Sequence, residues 1–343
     1  MQIPVVVAIS TLAVAIVVVA LAIMYGRMLP AQPWARSVLV SLGAAATGVV
    51  AWLAVSPLLA PPGPLYVPIG LLGGAAALLA TIVVRSFGAS AFVTLVFGFA
   101  WSALAFVPAA LLSFGLIHPL GLHPIDHGGS LAVNVAAGAA ALGVILAGGP
   151  SAPRLRTIVL PRGLGVVSVF AVAVGWLAWL VGAESAVDGA TPGILVNGIV
   201  GAIGGIAGWL VVQRILHQVT TLYAVAAGLV SGLVSVAAGA PLFTAVSAAV
   251  AGVMAGAAAA IFSLKRVASS RRQQWFVVGC HLVAGAFGVI LLGILATDMG
   301  FLFTGQVGFV VDQILSSVLV AAYSTAVSFV LWLLLKRVRV KAT

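Results

Sequence analysis

Long apolar runs follow one another along almost the whole chain, separated by short polar breaks. Each run has about 18 to 25 residues, which is the length of an α-helix that crosses a bilayer. Prolines, glycines and charged residues mark the breaks. The pattern predicts eleven spans, at 4–26, 38–60, 64–84, 90–113, 128–149, 163–183, 191–213, 219–238, 242–264, 275–296 and 308–335.

Composition leads to the same fold class. The 343 residues are 63% hydrophobic and only 6% charged, whereas a soluble domain has about 25% charged residues. A bilayer accepts only helices or closed barrels, and runs of this length indicate helices. We therefore predict an all-α polytopic membrane protein. The lone cysteine, Cys280, excludes an internal disulfide and a cysteine-rich metal site.

The net charge of +10 indicates membrane topology rather than a nucleic-acid surface. The fifteen Lys and Arg residues lie in short clusters at alternate breaks between the apolar runs. The acidic residues Asp126, Glu184, Asp188 and Asp298 lie at the other breaks, and Asp312 lies near the start of the last span. The positive-inside rule then predicts a protein of the cell membrane with its N-terminus outside and its C-terminus in the cytoplasm.

Eleven spans can be divided into five, five and one. This division predicts a first half at 1–150, a second half at 151–300, and a final span with a short basic segment at 301–343. Two halves with an odd number of spans each insert in opposite directions, as in the inverted repeats of many transporters, whose solute path lies between the repeats. The small residues of "GAIGGIAG" and "AAVAGVMAGAAAA" predict close helix packing.

Strongly polar side chains are rare inside the predicted spans, and each is a functional candidate because its insertion into lipid costs free energy. Asn134 lies in the fifth span, Asn197 in the seventh and His281 in the tenth. In an inverted repeat the fifth and tenth spans are equivalent helices. Asn134 and His281 would then face each other and line the path. The alternative is that each polar group only joins two helices by a hydrogen bond.

Asp126 stands just before the fifth span and is predicted to cap the N-terminus of that helix. It could also attract cations to an outer vestibule. His118, His123 and His127 surround it, but their spacing in a Pro- and Gly-rich loop is not that of a zinc site. We predict no metal and no cofactor.

Six segments, in order, resemble segments of the ammonium transporter family. "ALAIMYGRML" is similar to the end of the family's first span, and "VGWLAWLVGAESA" to its G-W-F-G-F-N-x-G-S segment. The block "WSALAFVPAALLSFGLIHPLGLHPIDHGGSLAVNVAAGAAALG" resembles the region that ends in D-F-A-G-G-x-V-V-H. The remaining three are "LVNGIVGAIGGIAGW", "AAVAGVMAGAAAAIFSLKR" and "VVGCHLVAGAFGVILLGILA". The resemblance implies eleven spans, an outside N-terminus and a homotrimer.

The same resemblance implies roles for the polar residues of the path. The family's outer aspartate matches Asp126, which favours a structural role there. The two pore histidines of the family match Asn134 and His281. An asparagine keeps the capacity for hydrogen bonding but cannot take up a proton, so a relay along two imidazoles would lose one station.

At the outer mouth the resemblance implies further departures from the family. The paired aromatic gate maps to Gly73 and Trp179, and the tryptophan that helps recruit ammonium maps to Phe114. The serine beside that tryptophan maps to Ala183. Phe114 and Trp179 still offer aromatic faces to a cation, whereas Ala183 offers no hydroxyl.

These observations predict a permease for ammonium or ammonia and not an enzyme. One alternative is a changed permeant, either another small solute or a monovalent cation such as potassium. Another is a relative that does not conduct and instead senses ammonium or serves as a scaffold. The expected partners are the permeant, the lipid bilayer and two further copies of the chain.

Overall fold

A computed structural model describes residues 3–26, 34–148, 162–264 and 272–338. Within these residues, ten helices are long and apolar enough to cross a membrane, and an eleventh apolar helix is shorter. The prediction of an all-α membrane protein is confirmed. Several of the basic residues used to predict topology lie outside the described residues, namely Arg27, Arg154, Arg156, Lys265, Arg266, Arg271, Arg339 and Lys341.

The eleven apolar helices correspond one for one to the predicted spans, with bounds that differ by a few residues. They are α1 (Ile3–Tyr25), α2 (Trp34–Leu58), α3 (Tyr66–Ser86), α4 (Ala91–Ser113), α5 (Ser130–Ala147), α6 (Gly163–Ala183), α7 (Thr191–Ile215), α8 (Leu222–Ala237), α9 (Ala245–Leu264), α10 (Gln274–Leu295) and α11 (Gly308–Leu335). Helix α8 has only 16 residues, about 24 Å of helix. A short helical turn at Ala240–Leu242 follows it.

Charged residues of the described chain separate to opposite ends of the bundle, because successive helices run in opposite directions. The acidic side carries Asp126, Glu184, Asp188, Asp298 and Asp312. The basic side carries Arg36, Arg85, Arg214, Lys336 and Arg337. Helix α11 contacts the segments on both sides of α5. Gln313 bonds to Ile125 at the acidic side, and the indole of Trp332 donates to the carbonyl of Gly148 at the basic side.

Helices α3 and α5 form the centre of the bundle and are buried over most of their length. Helix α11 exposes most of its surface, including large apolar side chains, as expected for a helix that faces lipid. Helices α7 and α9 pack most closely. A Cβ atom at Gly252 would collide with the carbonyl oxygen of Gly201, and one at Gly256 with that of Gly205. The close packing predicted from these two segments is confirmed.

Besides the segment Ser102–Phe106 of α4, two central helices contain a widened, π-helical turn. One spans Ser130–Val135 at the start of α5, and the other spans Val278–Val283 within α10. A π-helical turn inserts an extra residue per turn and is frequent at functional sites. Gly129, with φ of 85°, lies immediately before the first of these turns. Asn134 and His281, the two polar residues singled out in the sequence, belong to these turns.

Candidate functional site

Asn134, His281 and Tyr25 form one hydrogen-bonded row at the centre of the bundle. His281 Nδ1 lies 2.8 Å from Asn134 Oδ1, and His281 Nε2 lies 2.6 Å from the hydroxyl of Tyr25. All three side chains are buried. An amide oxygen can only accept a hydrogen bond, so Nδ1 carries a proton, and in the neutral imidazole Nε2 then accepts from the tyrosine. Both ring nitrogens of His281 are therefore hydrogen-bonded.

The row joins helices that are far apart in the sequence. Tyr25 ends α1, Asn134 lies in α5 and His281 lies in α10. The structure therefore brings together the two polar residues predicted to face each other. This contact is compatible both with a solute path and with a hydrogen bond that only joins two helices. The cavity beside the row distinguishes the two interpretations.

A narrow cavity, called the pore cavity below, lies on the acidic side of the row. Asn134 forms part of its wall. The other lining residues are Val14, Val17, Leu21, Leu72, Ala75, Leu79, Gly128, Val133, Trp176 and Trp179. The cavity leaves about 20 Å³ for the centre of a water-sized molecule, which is space for about one such molecule. A helix-joining asparagine has no need of such a cavity, so this feature favours a solute path.

Trp179 and Leu72 form part of the wall of the pore cavity. The indole of Trp179 donates to the carbonyl of Gly128 over 2.9 Å, which fixes the ring in place. The structure places Gly73, the residue matched to the second gate position, against the ring of Phe106. The neighbouring Leu72 occupies the cavity wall instead, because a shift of one residue on a helix turns the side chain by about 100°.

A wider depression, called the vestibule below, opens at the acidic side of the bundle. It is lined by Phe114 and by Trp52, Ser56, Ala60, Pro61, Gly63, Pro64, Leu65, Tyr66, Ile69, Leu111, Leu116 and Ser185. It leaves about 230 Å³ for the centres of water-sized molecules. Ala183, matched to the family's serine, ends α6 and is half-buried. A hydroxyl is nevertheless present in the vestibule, from Ser185, two residues further on.

Asp126 caps the helix that carries Asn134. Its Oδ2 accepts hydrogen bonds from the backbone N–H groups of Leu131 at 2.8 Å and Ala132 at 3.0 Å. Burial raises the pKa of Asp126 to about 6, and the two backbone N–H groups oppose that rise. The capping geometry predicted from the sequence is thus present. Gln313 of α11 holds the preceding residue, donating to the carbonyl of Ile125 and accepting from its N–H.

His127 ties the Asp126 loop to α6. Its Nε2 donates to the carbonyl of Leu180 over 2.8 Å, and its Nδ1 lies 3.6 Å from Glu184 Oε2. Burial lowers the pKa of His127. Burial and the charge of Asp188 raise the pKa of Glu184. Both shifts favour the neutral form of the side chain, at His127 and at Glu184.

The other two loop histidines, His118 and His123, lie side by side with ring centres 4.2 Å apart.

Asn197 has a structural position. Its amide nitrogen donates to the carbonyls of Ala240 and Phe243, at 2.9 and 2.6 Å, and so holds the loop between α8 and α9.

Three residues of this region, Tyr25, Gln313 and Leu72, were not predicted from the sequence. Tyr25 stands in the segment that resembles the end of the family's first span, and a polar ring at the end of an apolar run was the available signal. Gln313 was detectable as a lone amide near the start of the last span. Leu72 carried no signal, because one more leucine in an apolar run is not distinctive.

Comparison with known proteins places these features in context. The sequence profile of the Ammonium Transporter Family matches residues 75–341. A putative ammonium transporter of Methanothermobacter thermautotrophicus is 26% identical over 250 residues, which are 69% of this chain and 60% of the relative. The chain of Amt2 from Methanocaldococcus jannaschii is 28% identical over 244 residues, which are 66% of this chain and 56% of the relative. The matched region thus spans less than two thirds of these relatives' own length.

A solved structure of a mutant of Mep2 from Candida albicans superposes with a TM-score of 0.82 at 17% identity. The match covers 96% of this chain and 85% of that chain. At this identity the likeness establishes the fold. The family profile covers far more than half of the chain, and the eleven helices make it a multi-pass membrane protein. The chain is a member of the ammonium transporter family.

Proposed function

We propose that the chain is a permease that passes ammonium or ammonia through a path within each subunit. The observation that carries this proposal is the apolar pore cavity that ends on Asn134, whose side-chain oxygen is hydrogen-bonded to His281. Ammonia is close to water in size, and the cavity holds about one water-sized molecule. The ammonium transporters among its relatives agree with this assignment.

The polarity of the cavity favours ammonia over the ammonium ion inside it. An unpaired ion in an apolar environment costs several kcal/mol or more, and the wall of the pore cavity offers one amide and no charged group. A cation that reaches the vestibule must therefore lose a proton before it enters. Phe114 offers an aromatic face to the cation there, and the acidic residues favour its approach.

At the centre, Asn134 and His281 supply hydrogen-bonding groups for a neutral solute. Asn134 can donate from its Nδ2 while its Oδ1 holds His281. His281 Nε2 can accept from the solute once Tyr25 releases it. Because Asn134 cannot take up a proton, the chain has one imidazole where a two-imidazole relay has two. We expect the native protein to carry less current per molecule of ammonia than a form with a histidine at residue 134.

Our proposal extends to the assembly and to its orientation. The N-terminus lies outside and the C-terminus in the cytoplasm, so the acidic side faces outward and the basic side inward. Residues 1–150 and 151–300 form two inverted halves, and 301–343 completes the bundle. Three copies associate. Cysteine substitutions at Ser185 and Arg337, labelled from one side of sealed vesicles, test the orientation.

Uptake and current in proteoliposomes test the function itself. Ammonium, methylammonium and potassium gradients are applied to the native chain and to Asn134→His, with Gln306→His, at an exposed position, as a control. Ammonium uptake by the native chain, with a larger current in Asn134→His, supports the proposal. Potassium uptake that competes with ammonium would indicate a changed permeant.

A second candidate is an ammonium sensor. On the basic side of the row, the hydroxyl of Tyr25 is hydrogen-bonded to His281 Nε2. This contact obstructs passage in the present conformation. A protein described as Sensor Amt Protein superposes with a TM-score of 0.72 at 16% identity, over 98% of this chain and 93% of that chain. Saturable binding of ammonium without flux through the native chain would favour this candidate.

A further inference from the structure

Arg85 is a buried cation on the basic side of the bundle, near the end of α3. Its side chain is only 5% exposed. One guanidinium nitrogen, Nη1, donates to the carbonyl of Ser37 at 3.0 Å and to the hydroxyl of Ser41 at 2.9 Å. Both acceptors are neutral. Within the described residues, Nε and Nη2 make no hydrogen bond, so most of the donor capacity of Arg85 is unused.

The N-terminal end of α2, beside Arg85, is positive as well. Ser37 lies in the first turn of α2, which begins at Trp34 and has no acidic residue in that turn. The first N–H groups of a helix lack partners within it and carry the positive end of its dipole. Arg36, on the same turn, is exposed and adds a second charge. A buried guanidinium against a helix N-terminus is unfavourable unless an anion lies between or beside them.

Ser37 supplies an independent sign of a missing partner. Its side chain is fully buried, and its hydroxyl has no hydrogen-bond partner in the described part of the chain. The hydroxyl belongs to the residue whose carbonyl contacts Arg85, so the two groups lie together. The indole N–H of Trp34, one turn earlier on the same face, is also buried without a partner. Two donors at this end of α2, and most of the donor capacity of Arg85, therefore lack acceptors among the described residues.

No carboxylate side chain of the protein can fill this place. All five acidic residues of the sequence lie on the acidic side, and Arg85 stands at the opposite end of α3. That helix has 21 residues, so about 30 Å of helix separates the two ends. The anion that neutralises Arg85 must therefore come from outside these side chains.

We propose that the ends of α2 and α3, with Arg85, Ser37 and Trp34, bind a phosphate group. Several acceptor oxygens on one anion match a planar guanidinium together with a hydroxyl and an N–H. Helix N-termini are suited to phosphate. The position, within one turn of the end of a membrane-spanning helix, is the depth of the lipid headgroups. The phosphate belongs to an anionic phospholipid of the inner leaflet or is free in the cytoplasm.

Lipid binding to the purified full chain in detergent tests this site. The apparent affinity is measured by native mass spectrometry for phosphatidylglycerol and for phosphatidylcholine, whose choline cancels the phosphate charge. Inorganic phosphate is titrated separately, with the thermal unfolding midpoint as the readout. The variants are Arg85→Gln, Arg85→Lys and Ser37→Ala. Arg214→Gln is the matched control, because it removes an exposed charge on the same side.

We expect the native chain to prefer phosphatidylglycerol. Arg85→Gln should weaken that binding by about tenfold, corresponding to about 1.4 kcal/mol. Arg85→Lys should weaken it by less, because lysine keeps the charge but lacks the planar, multiple donors of the guanidinium. Ser37→Ala should weaken phosphatidylglycerol binding by a smaller factor. If Arg85→Gln does not fold, the Ser37→Ala variant tests the site in its place. A midpoint raised by inorganic phosphate, and lost in Arg85→Gln, assigns the site to free phosphate as well.

Two results would overturn the proposal. One is equal affinity of the native chain for the two lipids together with no effect of inorganic phosphate. The other is an equal loss of affinity in Arg85→Gln and Arg214→Gln with none in Ser37→Ala, because general surface charge would then account for the binding.

Discussion

The two widened turns at the centre of the bundle have similar surroundings but different chemistry. Asn134 is followed four residues later by Gly138, and His281 by Gly285. Gly138 packs on Leu282, the residue after His281, and Gly285 packs on Val135, the residue after Asn134. Each turn therefore contacts the other in the reciprocal manner of a two-fold interface. This reciprocity supports the proposal of two inverted halves.

The two turns nevertheless differ in their position within the helix and in their hydrogen-bond partners. The Asn134 turn opens a helix and depends on Asp126 as its cap, whereas the His281 turn lies inside a helix that begins earlier. Only His281 has a second partner, Tyr25. The two turns thus keep matching backbone contacts, although one side chain has a titratable ring and the other has an amide.

The largest effect is expected from His281→Ala, because it removes the side chain that both neighbours use. The substitution leaves Asn134 Oδ1 and the Tyr25 hydroxyl without their partner, at about 1–3 kcal/mol for each buried group. Ammonium flux in proteoliposomes should fall at least several-fold, while assembly on size-exclusion chromatography is unchanged. Asn134→Ala should have a smaller effect. Equal flux in the native chain and His281→Ala would remove His281 from the path.

Alanine substitutions at Gly138 and Gly285 should destabilise the protein to different extents. A Cβ atom at Gly138 would collide with the backbone nitrogen of Leu282, whereas one at Gly285 would meet a Val135 methyl group at 3.0 Å. A backbone atom cannot move aside, so Gly138→Ala should cost about 2–3 kcal/mol and Gly285→Ala less than about 1 kcal/mol. Thermal unfolding in detergent measures both. Equal losses would contradict the asymmetry seen at this contact.

Tyr25→Phe tests the partner that only one turn has. The change keeps the ring and removes the hydroxyl that occupies His281 Nε2. Ammonium flux should rise by a factor of about 2 to 5, corresponding to the roughly 0.5–1 kcal/mol that one hydrogen bond contributes. Tyr323→Phe, at an exposed position of α11, is the control. A fall in flux would show instead that the hydroxyl takes part in the passage.

The smallest effect concerns the cap that only the Asn134 turn has. Because burial raises the pKa of Asp126 from its ordinary value of 3.8 to about 6, the folded protein holds this proton more tightly than the unfolded chain. The resulting stability is fully present below pH 3.8 and is lost as the pH rises through about 6. Asp126→Asn should therefore gain stability relative to the native chain as the pH rises from about 4 to about 6, and the difference should level off above about pH 7.

Unfolding midpoints of both proteins across that range measure this difference. His127, whose pKa burial lowers, titrates in the opposite direction, but it is present in both proteins. A difference that does not change with pH would show that Asp126 keeps its ordinary pKa in the folded state.

Much of the architecture was predictable from the sequence, since apolar runs and their breaks set the helices. The bounds of α6 and α11 agree with the predicted spans, and the other bounds differ by a few residues. Asn134 and His281 were identifiable because polar side chains stand out in apolar runs. Leu72 was not identifiable, because the match to the family fell one residue away, on Gly73, and a single position decides which way a helical side chain points.

The sequence by itself determined the fold class, the number of spans, the end of the bundle at which the described charges lie and the polar residues at the centre. These properties depend on hydrophobicity and charge, which the bilayer sorts by transfer free energy. Only the tertiary structure decided that Tyr25 completes the row, that Ser185 reaches the vestibule and that Arg85 is buried without a carboxylate. Those contacts depend on distances between helices far apart in the chain, which no local pattern of residues contains.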